Sequence, residues 1–468
     1  MGPRDLIITP LFVVLIYFTA YFARYFVADR RTRRYFLPGL SLKILGAISL
    51  GLIYQYYYEG GDTFAYFNLG SRYVWEAFQD SPVNALKLIF ARGEYLPETW
   101  EYASKIIFYD DLPSYFVVRI AGFFDILTFH TYSATACLFA VVSFSGLWAM
   151  YSAFYRMFPR LHLELAIAVF FIPSVFFWGS GILKDSITLG ALGWATFSFY
   201  SLFIRGKKIV LNLILLILSF LTIYAIKIYI LLCFIPALLI WLYVHYMARV
   251  KNLVLKAMVL PVTALILTGS GYFAVKKIGE ENRRYNLGQL SQTAEATARW
   301  LTYVSAREEG SAYSLGDFDY STAGILEKAV PAIWVTLFRP YIWEVKNPVM
   351  ALSALENLSL FIFFLFTAFV AVRRGRLNKI FKQPVIAFCF FFTITFSFAV
   401  GISTYNFGSL VRYKIPMMPF FLIGLFLLLH YSKRLRKVSR FAFNENLSST
   451  SLRPVSPMEL RNKGSRIN

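Results

Sequence analysis

The chain has 468 residues, of which 58% are hydrophobic and 16% charged, and its formal net charge is +21. Soluble domains are about a quarter charged, so a water-soluble fold of this chain would have too little polar surface to cover it. The composition therefore excludes an ordinary soluble protein and predicts a membrane protein. Cys137, Cys233 and Cys389 all fall within apolar runs, and we expect no disulfide between them.

Apolar runs long enough to cross a bilayer, roughly 20 residues each, recur along the chain. Eleven runs lie at about 6–26, 40–58, 132–154, 163–181, 187–204, 209–226, 228–247, 253–273, 353–372, 384–402 and 415–431. The first has full spanning length, so we expect it to remain as an anchor rather than be removed as a signal peptide. The pattern predicts an all-α fold, a bundle of about eleven transmembrane helices forming one domain over residues 1–431.

Clusters of basic residues follow the first, third, fifth, seventh and ninth predicted spans, so all of these clusters lie on one side of the membrane. They are Arg30, Arg31, Arg33 and Arg34; Arg156 and Arg160; Arg205, Lys207 and Lys208; Arg249, Lys251 and Lys256; and Arg373, Arg374, Arg376, Lys379 and Lys382. Because cytoplasmic loops retain Lys and Arg, we expect an inner (plasma) membrane protein with its N-terminus outside. The tail at 432–468 is predicted to be a basic, disordered cytoplasmic segment. Topology thus accounts for the positive charge, and no nucleic-acid partner is expected.

Two connections are much longer than the others, and both fall on the outer side. They lie at about 59–130 and 276–350. Long loops in compact proteins usually carry function. Both contain apolar residues at helical spacing, and we expect helices that lie on or dip into the outer leaflet.

Asp62 begins the first outer loop, directly after the flexible pair Gly60-Gly61. A carboxylate at the outer surface can act as a general base on a hydroxyl. The alternative is that Asp62 only caps a helix that begins at Thr63, a common role for Asp.

Cationic residues lie at the outer ends of several spans. Lys184, next to Asp185, lies in the hairpin between spans four and five, and Lys227 lies in the turn between spans six and seven. Ionisable groups at such depth in the membrane indicate a functional role. The alternative is that a lysine there extends its side chain to the interface, that is, snorkels. For Lys227, which has no acid nearby in the sequence, snorkelling is the favoured interpretation.

Two later arginines, Arg339 and Arg412, also lie on the outer side, against the charge rule. Together with Lys184 and Lys227 they form a candidate phosphate site, for which the bidentate guanidinium is suited. The alternative is that the arginines pair with Glu344, Glu356 or lipid phosphates.

The sequence lacks a phosphate-binding P-loop, a dinucleotide fingerprint, a serine nucleophile elbow and any His or Cys cluster at metal spacing. We therefore expect neither a cofactor nor a metal. An outward-facing enzyme of this kind must take a substrate that is already activated. Lipid-linked sugars fit this requirement, because their phosphate is the leaving group and a carboxylate can deprotonate the acceptor hydroxyl.

The long first outer loop, the Asp that opens it and the late outer Arg resemble the GT-C superfamily of polyprenyl-phosphate-dependent glycosyltransferases over residues 40–431. The resemblance implies that Asp62 is the catalytic base and that Arg412 or Arg339 binds the lipid phosphate. It implies a lipid-linked sugar donor and a glycan or lipid acceptor as partners, besides the membrane lipids. The chain departs from the family in its extra N-terminal span and in its single acid, for which Asp110-Asp111 offers a second.

Two other functions stay open. The segments 173–185 and 406–419 are similar to stretches of bacterial polysaccharide polymerases of the O-antigen type, which join glycans on lipid diphosphate carriers. A transporter or flippase is the third possibility, and a non-catalytic membrane scaffold is the alternative to all three. Secondary transporters tend to show internal repeats, and the two halves of this chain show none.

Overall fold

The computed structural model of the protein describes residues 2–247, 313–316, 322–374 and 382–433. In these ranges the regular elements are helices and no strand occurs, which confirms the predicted all-α fold. In chain order they are α1 (Asp5–Val27), α2 (Arg33–Tyr56), α3 (Asp62–Tyr66), α4 (Arg72–Asp80), α5 (Pro82–Phe90), α6 (Trp100–Ala103), α7 (Leu112–Thr128), α8 (Tyr132–Met157), α9 (His162–Phe170), α10 (Pro173–Trp178), α11 (Lys184–Phe199), α12 (Ile209–Met247), α13 (Thr322–Glu327), α14 (Ala329–Phe338), α15 (Pro348–Arg373), α16 (Pro384–Ser403), α17 (Phe407–Tyr413) and α18 (Met418–Lys433).

Within the described residues, seven helices are long and apolar enough to span a membrane. They are α1, α2, α8, α11 together with its continuation to Ile204, α12, α15 and α16, and the pair α17–α18, bent by 65°, would make an eighth. The predicted run at 163–181 is broken into α9 and α10, because Pro173 cannot continue the preceding helix and starts a new one. The run at 253–273 and nearly all of the predicted tail at 432–468 lie outside the described residues. The number eleven therefore stays a prediction.

The helix α12 consists of two helical segments that run in opposite directions and are joined at Lys227. A straight helix of its 39 residues would be about 58 Å long. Both ends nevertheless contact one short segment: Asn212 Nδ2 donates to the carbonyl oxygen of Lys207, and Tyr246 Oη to that of Phe203, each over 2.7 Å. The chain must therefore reverse direction, and it does so at Lys227, whose φ of −145° and ψ of 75° are not helical.

Small residues let the central helices pack closely. A Cβ at Gly146 of α8 would lie 1.8 Å from the carbonyl oxygen of Gly190 in α11, and one at Gly193 would lie 2.0 Å from that of Gly146. Close approach through small residues is a common way for helices to associate in membranes. It holds α11 rigidly against α8, and the first two residues of α11 are Lys184 and Asp185.

The bundle has two distinct ends. At one of them, the basic end, Arg34 contacts His162 (3.2 Å) and Tyr155 donates to Asp29 (2.6 Å). We call the opposite end, reached by the C-terminus of α2, the site end. The arginine clusters after α1 and α8 thus lie at the basic end, as the alternating pattern predicts.

The two long connections both contain helices. The first folds as α3 to α7 around an apolar core of its own that includes Val74, Leu88 and Val118. The second is described at 313–316 and from Thr322 onward, where α14 packs into the bundle and Thr336 Oγ1 donates to the carbonyl oxygen of Ser397 in α16 (2.9 Å). Whether either connection touches a lipid surface stays a prediction.

Candidate functional site

A glycine turn positions Asp62 at the site end. Gly60 and Gly61 have φ values of +145° and +111°, which L side chains rarely adopt, and a Cβ at Gly61 would lie 2.7 Å from the Tyr54 ring. The turn ends at Asp62, the first residue of α3. The carboxylate of Asp62 is 57% exposed and accepts a hydrogen bond from Arg412 Nη1 over 2.6 Å. It therefore pairs with a distant cation instead of capping its own helix.

Asp185, at the start of α11, is the buried centre of the site. It is fully buried and accepts from Arg412 Nε (2.7 Å) through one oxygen and from Lys227 Nζ through the other. Arg412 thus bridges two acids, Asp185 beneath it and Asp62 at the surface. Since a buried carboxylate requires partners on both oxygens, Asp185 fixes the positions of both cations.

The interpretation of Lys227 as a lone snorkelling lysine is wrong. Its side chain is buried, forms an ion pair with Asp185, and lies 4.7 Å above the ring of Tyr413. The helix break at Lys227 brings the residue to this partner, which lies 42 positions earlier in the chain. Sequence proximity gave no sign of the pair.

Lys184 lies beside this cluster rather than in it. Its Nζ is 3.7 Å from Asp111 of the first connection, a contact that is half exposed on the acid's side. Lys184 immediately precedes Asp185 in the sequence, so it lies at the rim of the same site. Asp111 is one of the two acids that offer a second carboxylate, and it pairs with Lys184 and accepts a hydrogen bond from Ser114 Oγ.

Arg339 does not join the site, although the sequence grouped it with Arg412. Its Nε lies 3.0 and 3.1 Å from the two carboxylate oxygens of Glu344, the local partner named as the alternative. The guanidinium also lies 5.0 Å from the ring of Phe407 at the start of α17. Of the four candidate cations, Arg412 and Lys227 thus belong to the ion-pair site, Lys184 lies at its rim, and Arg339 lies apart.

Tyr66 lies one turn after Asp62 on α3 and is the nearest titratable hydroxyl on that helix. Burial raises the pKa of Tyr66, so the phenol stays protonated at neutral pH and is unsuited to act as a base. Asp62 is the better candidate for proton transfer on α3.

A second buried polar layer lies at the break between α17 and α18. Lys414 Nζ donates to Asn357 Oδ1 of α15 (2.6 Å). Glu356, also in α15, accepts from the backbone N–H and the hydroxyl of Ser174 (2.7 Å each). Ser174 is the second residue of α10, so an acid lies at the positive end of this short helix.

The other end of α10 is held by Lys43, a site residue that sequence analysis missed. Lys43 lies within the span α2 and is buried, and its Nζ donates to the carbonyl oxygens of Gly179 (2.7 Å) and Val175 (3.0 Å) and to Ser143 Oγ (3.1 Å). A single lysine inside an apolar run was the available signal. By anchoring α10 at this end, Lys43 positions the turn that leads into Lys184 and Asp185.

The charges of the connected site are balanced. Arg412 and Lys227 oppose Asp62 and Asp185, and the exposed Asp62 is the member that can leave at least cost. If Asp62 moved away from Arg412, the buried trio would carry a net positive charge facing the site end. Such a site can accept an anion where the carboxylate now lies.

Taken together, the helices and the buried ion pairs define a multi-pass helical membrane protein with a charged site at one end of the bundle. Among the described residues no group of three or more His, Cys, Asp or Glu could hold a metal ion. No protein-family model matches the chain, and neither a curated protein nor a solved structure gives a significant match.

Proposed function

We propose that the protein is an integral membrane glycosyltransferase that uses a lipid-linked sugar donor on the outer face of the membrane, in cell-surface polysaccharide or glycan assembly. One observation carries the proposal: an exposed carboxylate, Asp62, touches a guanidinium, Arg412, that a buried acid holds in place. A base for the acceptor and a cation for the leaving phosphate are thus adjacent.

The chemistry follows from these positions. The acceptor hydroxyl attacks the anomeric carbon of the donor, Asp62 takes the hydroxyl proton, and the bond between the anomeric carbon and the phosphate oxygen breaks. Arg412 stabilises the negative charge that develops on the leaving phosphate, and Lys184 at the rim adds a second cation. Donor phosphate would displace Asp62 from Arg412 and so free the carboxylate to act as the base.

This proposal agrees with the roles that the resemblance to GT-C glycosyltransferases implies for Asp62 and Arg412. The polymerase alternative has the same type of lipid-linked donor and the same face of the membrane. It differs in that the cations, rather than a carboxylate, dominate the chemistry. The exposure of Asp62 favours the carboxylate mechanism, because a base must reach an acceptor that enters from outside.

The direct test is transfer in a reconstituted system. Purified protein in proteoliposomes would be supplied with polyprenyl-phosphate hexoses carrying a radioactive sugar and with an extract of envelope glycolipids as acceptors. We expect the label to move from the donor to a new lipid- or glycan-linked product. Donor that remains unchanged with every sugar tested would contradict the proposal.

The proposed sidedness has its own test. The three native cysteines are buried, so single cysteines can be introduced at Ser314, at the site end, and at Lys382, which follows the predicted ninth span. We expect a membrane-impermeant maleimide added to intact cells to label Ser314→Cys and to spare Lys382→Cys until the cells are opened. The reverse pattern would place the site in the cytoplasm.

A transporter or flippase is a second candidate, favoured by one observation. Helix breaks gather around the buried charges: at 171–172 between α9 and α10, at Lys227, and at 414–417 between α17 and α18. Transporters bind substrates at such discontinuous helices. In the reconstituted assay a flippase would move intact donor across the bilayer, whereas a transferase would consume it.

A further inference from the structure

A cleft opens beside α14, separate from the ion-pair site. It has a volume of about 400 Å³, which is within the range of small-ligand sites. Its lining includes Val330, Trp334, Arg339, Tyr341, Trp343 and Glu344. Nothing in the transfer mechanism above uses these residues.

One wall of the cleft is aromatic. The rings of Tyr341 and Trp343 stack with centroids 4.8 Å apart, and Trp334 Nε1 donates to Tyr341 Oη over 2.6 Å. Trp343 is nevertheless 81% exposed. The stack therefore holds an indole face available to a partner, and such a face packs well against the C–H groups of a sugar ring.

The polar groups of the cleft favour a neutral ligand. Arg339 and Glu344 neutralise each other through a bidentate pair, in which Nε and Nη2 both donate to the carboxylate, and Glu344 also accepts from the Tyr341 backbone N–H (2.7 Å). A phosphate would have to displace the carboxylate. A polyol can instead donate to Glu344 and accept from Arg339 while the pair stays intact, because a carboxylate has more acceptor positions than one arginine fills.

The cleft lies close to the proposed reaction site. The Arg339 guanidinium is 5.0 Å from the Phe407 ring, and the five helical steps from Phe407 to Arg412 rise about 7.5 Å along the helix axis. An oligosaccharide held in the cleft can therefore extend one end toward Asp62.

We infer that this cleft binds the saccharide part of the acceptor, with Trp343 as the stacking surface. The role as an acceptor subsite rests on the proposed transferase function, whereas saccharide binding does not. The competing explanation is that Trp343 anchors the protein at the lipid interface, where tryptophan is enriched. The two differ in chemistry, since stacking on a sugar needs an aromatic ring and anchoring needs only an apolar side chain.

The test is direct binding by saturation-transfer NMR. Full-length protein would be reconstituted in phosphatidylcholine nanodiscs, because a maltoside detergent would itself compete. The probes are the methyl glycosides of glucose, galactose, mannose, rhamnose and N-acetylglucosamine. The variants are Trp343→Phe and Trp343→Leu, and the matched control is Trp100→Leu, which changes a tryptophan that is 56% exposed and contacts Tyr95 in the first connection.

We expect at least one glycoside to bind the wild type, Trp343→Phe and Trp100→Leu, and to lose affinity by about fivefold or more in Trp343→Leu. Equal binding by Trp343→Leu, or binding of none of the five glycosides by the wild type, would overturn the inference. The wild type in the reconstituted transfer assay separates the two proposals: glycoside binding by a wild-type protein that transfers no sugar leaves the cleft a saccharide site and removes only its role as acceptor subsite. If both proposals hold, Asp62→Asn keeps the glycoside binding of the wild type and loses only the transfer.

Discussion

Replacing Asp62 with asparagine is expected to abolish sugar transfer while the protein still inserts and folds. Removing a general base costs about 10²- to 10⁴-fold in rate. The loss to folding should be small, because the Asp62 carboxylate is 57% exposed, asparagine keeps a side-chain oxygen that can accept from Arg412, and Asp185 still pairs with the guanidinium. The measurement is kcat in the reconstituted assay together with a thermal unfolding curve.

The matched control for this variant is Asp80→Asn. Asp80 is also an exposed acid of the first connection and also has one side-chain partner, Tyr102, yet it lies outside the site. We expect Asp80→Asn to retain wild-type turnover. If Asp62→Asn turned over donor as fast as Asp80→Asn, Asp62 would be reduced to a surface partner of Arg412.

The sequence shows which residues are charged within or beside apolar runs, but not how they pair. Asp62, Lys184, Lys227 and Arg412 could all be picked out because a charge in such a place is expensive. Their pairing could not, since Arg412 lies 227 positions from Asp185 and 350 from Asp62. Only the packed bundle determines those distances.

Two further residues show where local signals mislead or fail. Arg339 was grouped with the other cations by its sidedness, although its partner Glu344 is only five positions away and was visible in the sequence. Lys43 was equally visible as a lone charge in a span, but its acceptors are mostly backbone carbonyls 132 and 136 positions away. Every residue carries a backbone carbonyl, so the sequence gives no hint of which ones a lysine will find.

The helices themselves were more predictable than the breaks between them. Apolar length alone indicates a spanning helix, and the ends of α1, α2 and α16 agree with the predicted runs within several residues. The break before Pro173 had a sequence signal, because proline removes a backbone donor and clashes with the preceding turn. The reversal at Lys227 had a weaker signal, a cation between two apolar runs.

The substitution of Arg412 by lysine is expected to lower kcat/KM for the lipid donor by about thirtyfold, or about 2 kcal/mol, as for a charge-assisted hydrogen bond lost in a poorly solvated site. Arg412 uses two nitrogens of its fork at once, one on Asp185 and one facing Asp62. An ammonium keeps the charge but lacks the fork, so it cannot hold Asp185 and a phosphate in the same geometry.

Arg412→Gln should be worse, and for two reasons that can be separated. It removes the charge that we propose meets the donor phosphate, and it leaves one oxygen of the buried Asp185 with a weaker partner, which also lowers the free energy of unfolding by about 1–3 kcal/mol. Arg412→Lys separates the effect on donor binding from the effect on stability, because it keeps a positive charge next to Asp185. A phosphate-binding role therefore predicts that Arg412→Lys regains most of the stability but not the affinity for donor.

The control is Arg72→Lys with Arg72→Gln, because Arg72 pairs with Glu76 on the surface of the first connection and lies outside the site. We expect both control variants to keep wild-type kinetics. A merely structural Arg412 would give a lysine variant with normal kcat and donor KM once its stability was restored. The lysine still neutralises Asp185 but lacks the fork, so that result would rule out the phosphate-binding role. It would favour the transporter, in which a buried ion pair serves conformational change rather than leaving-group binding.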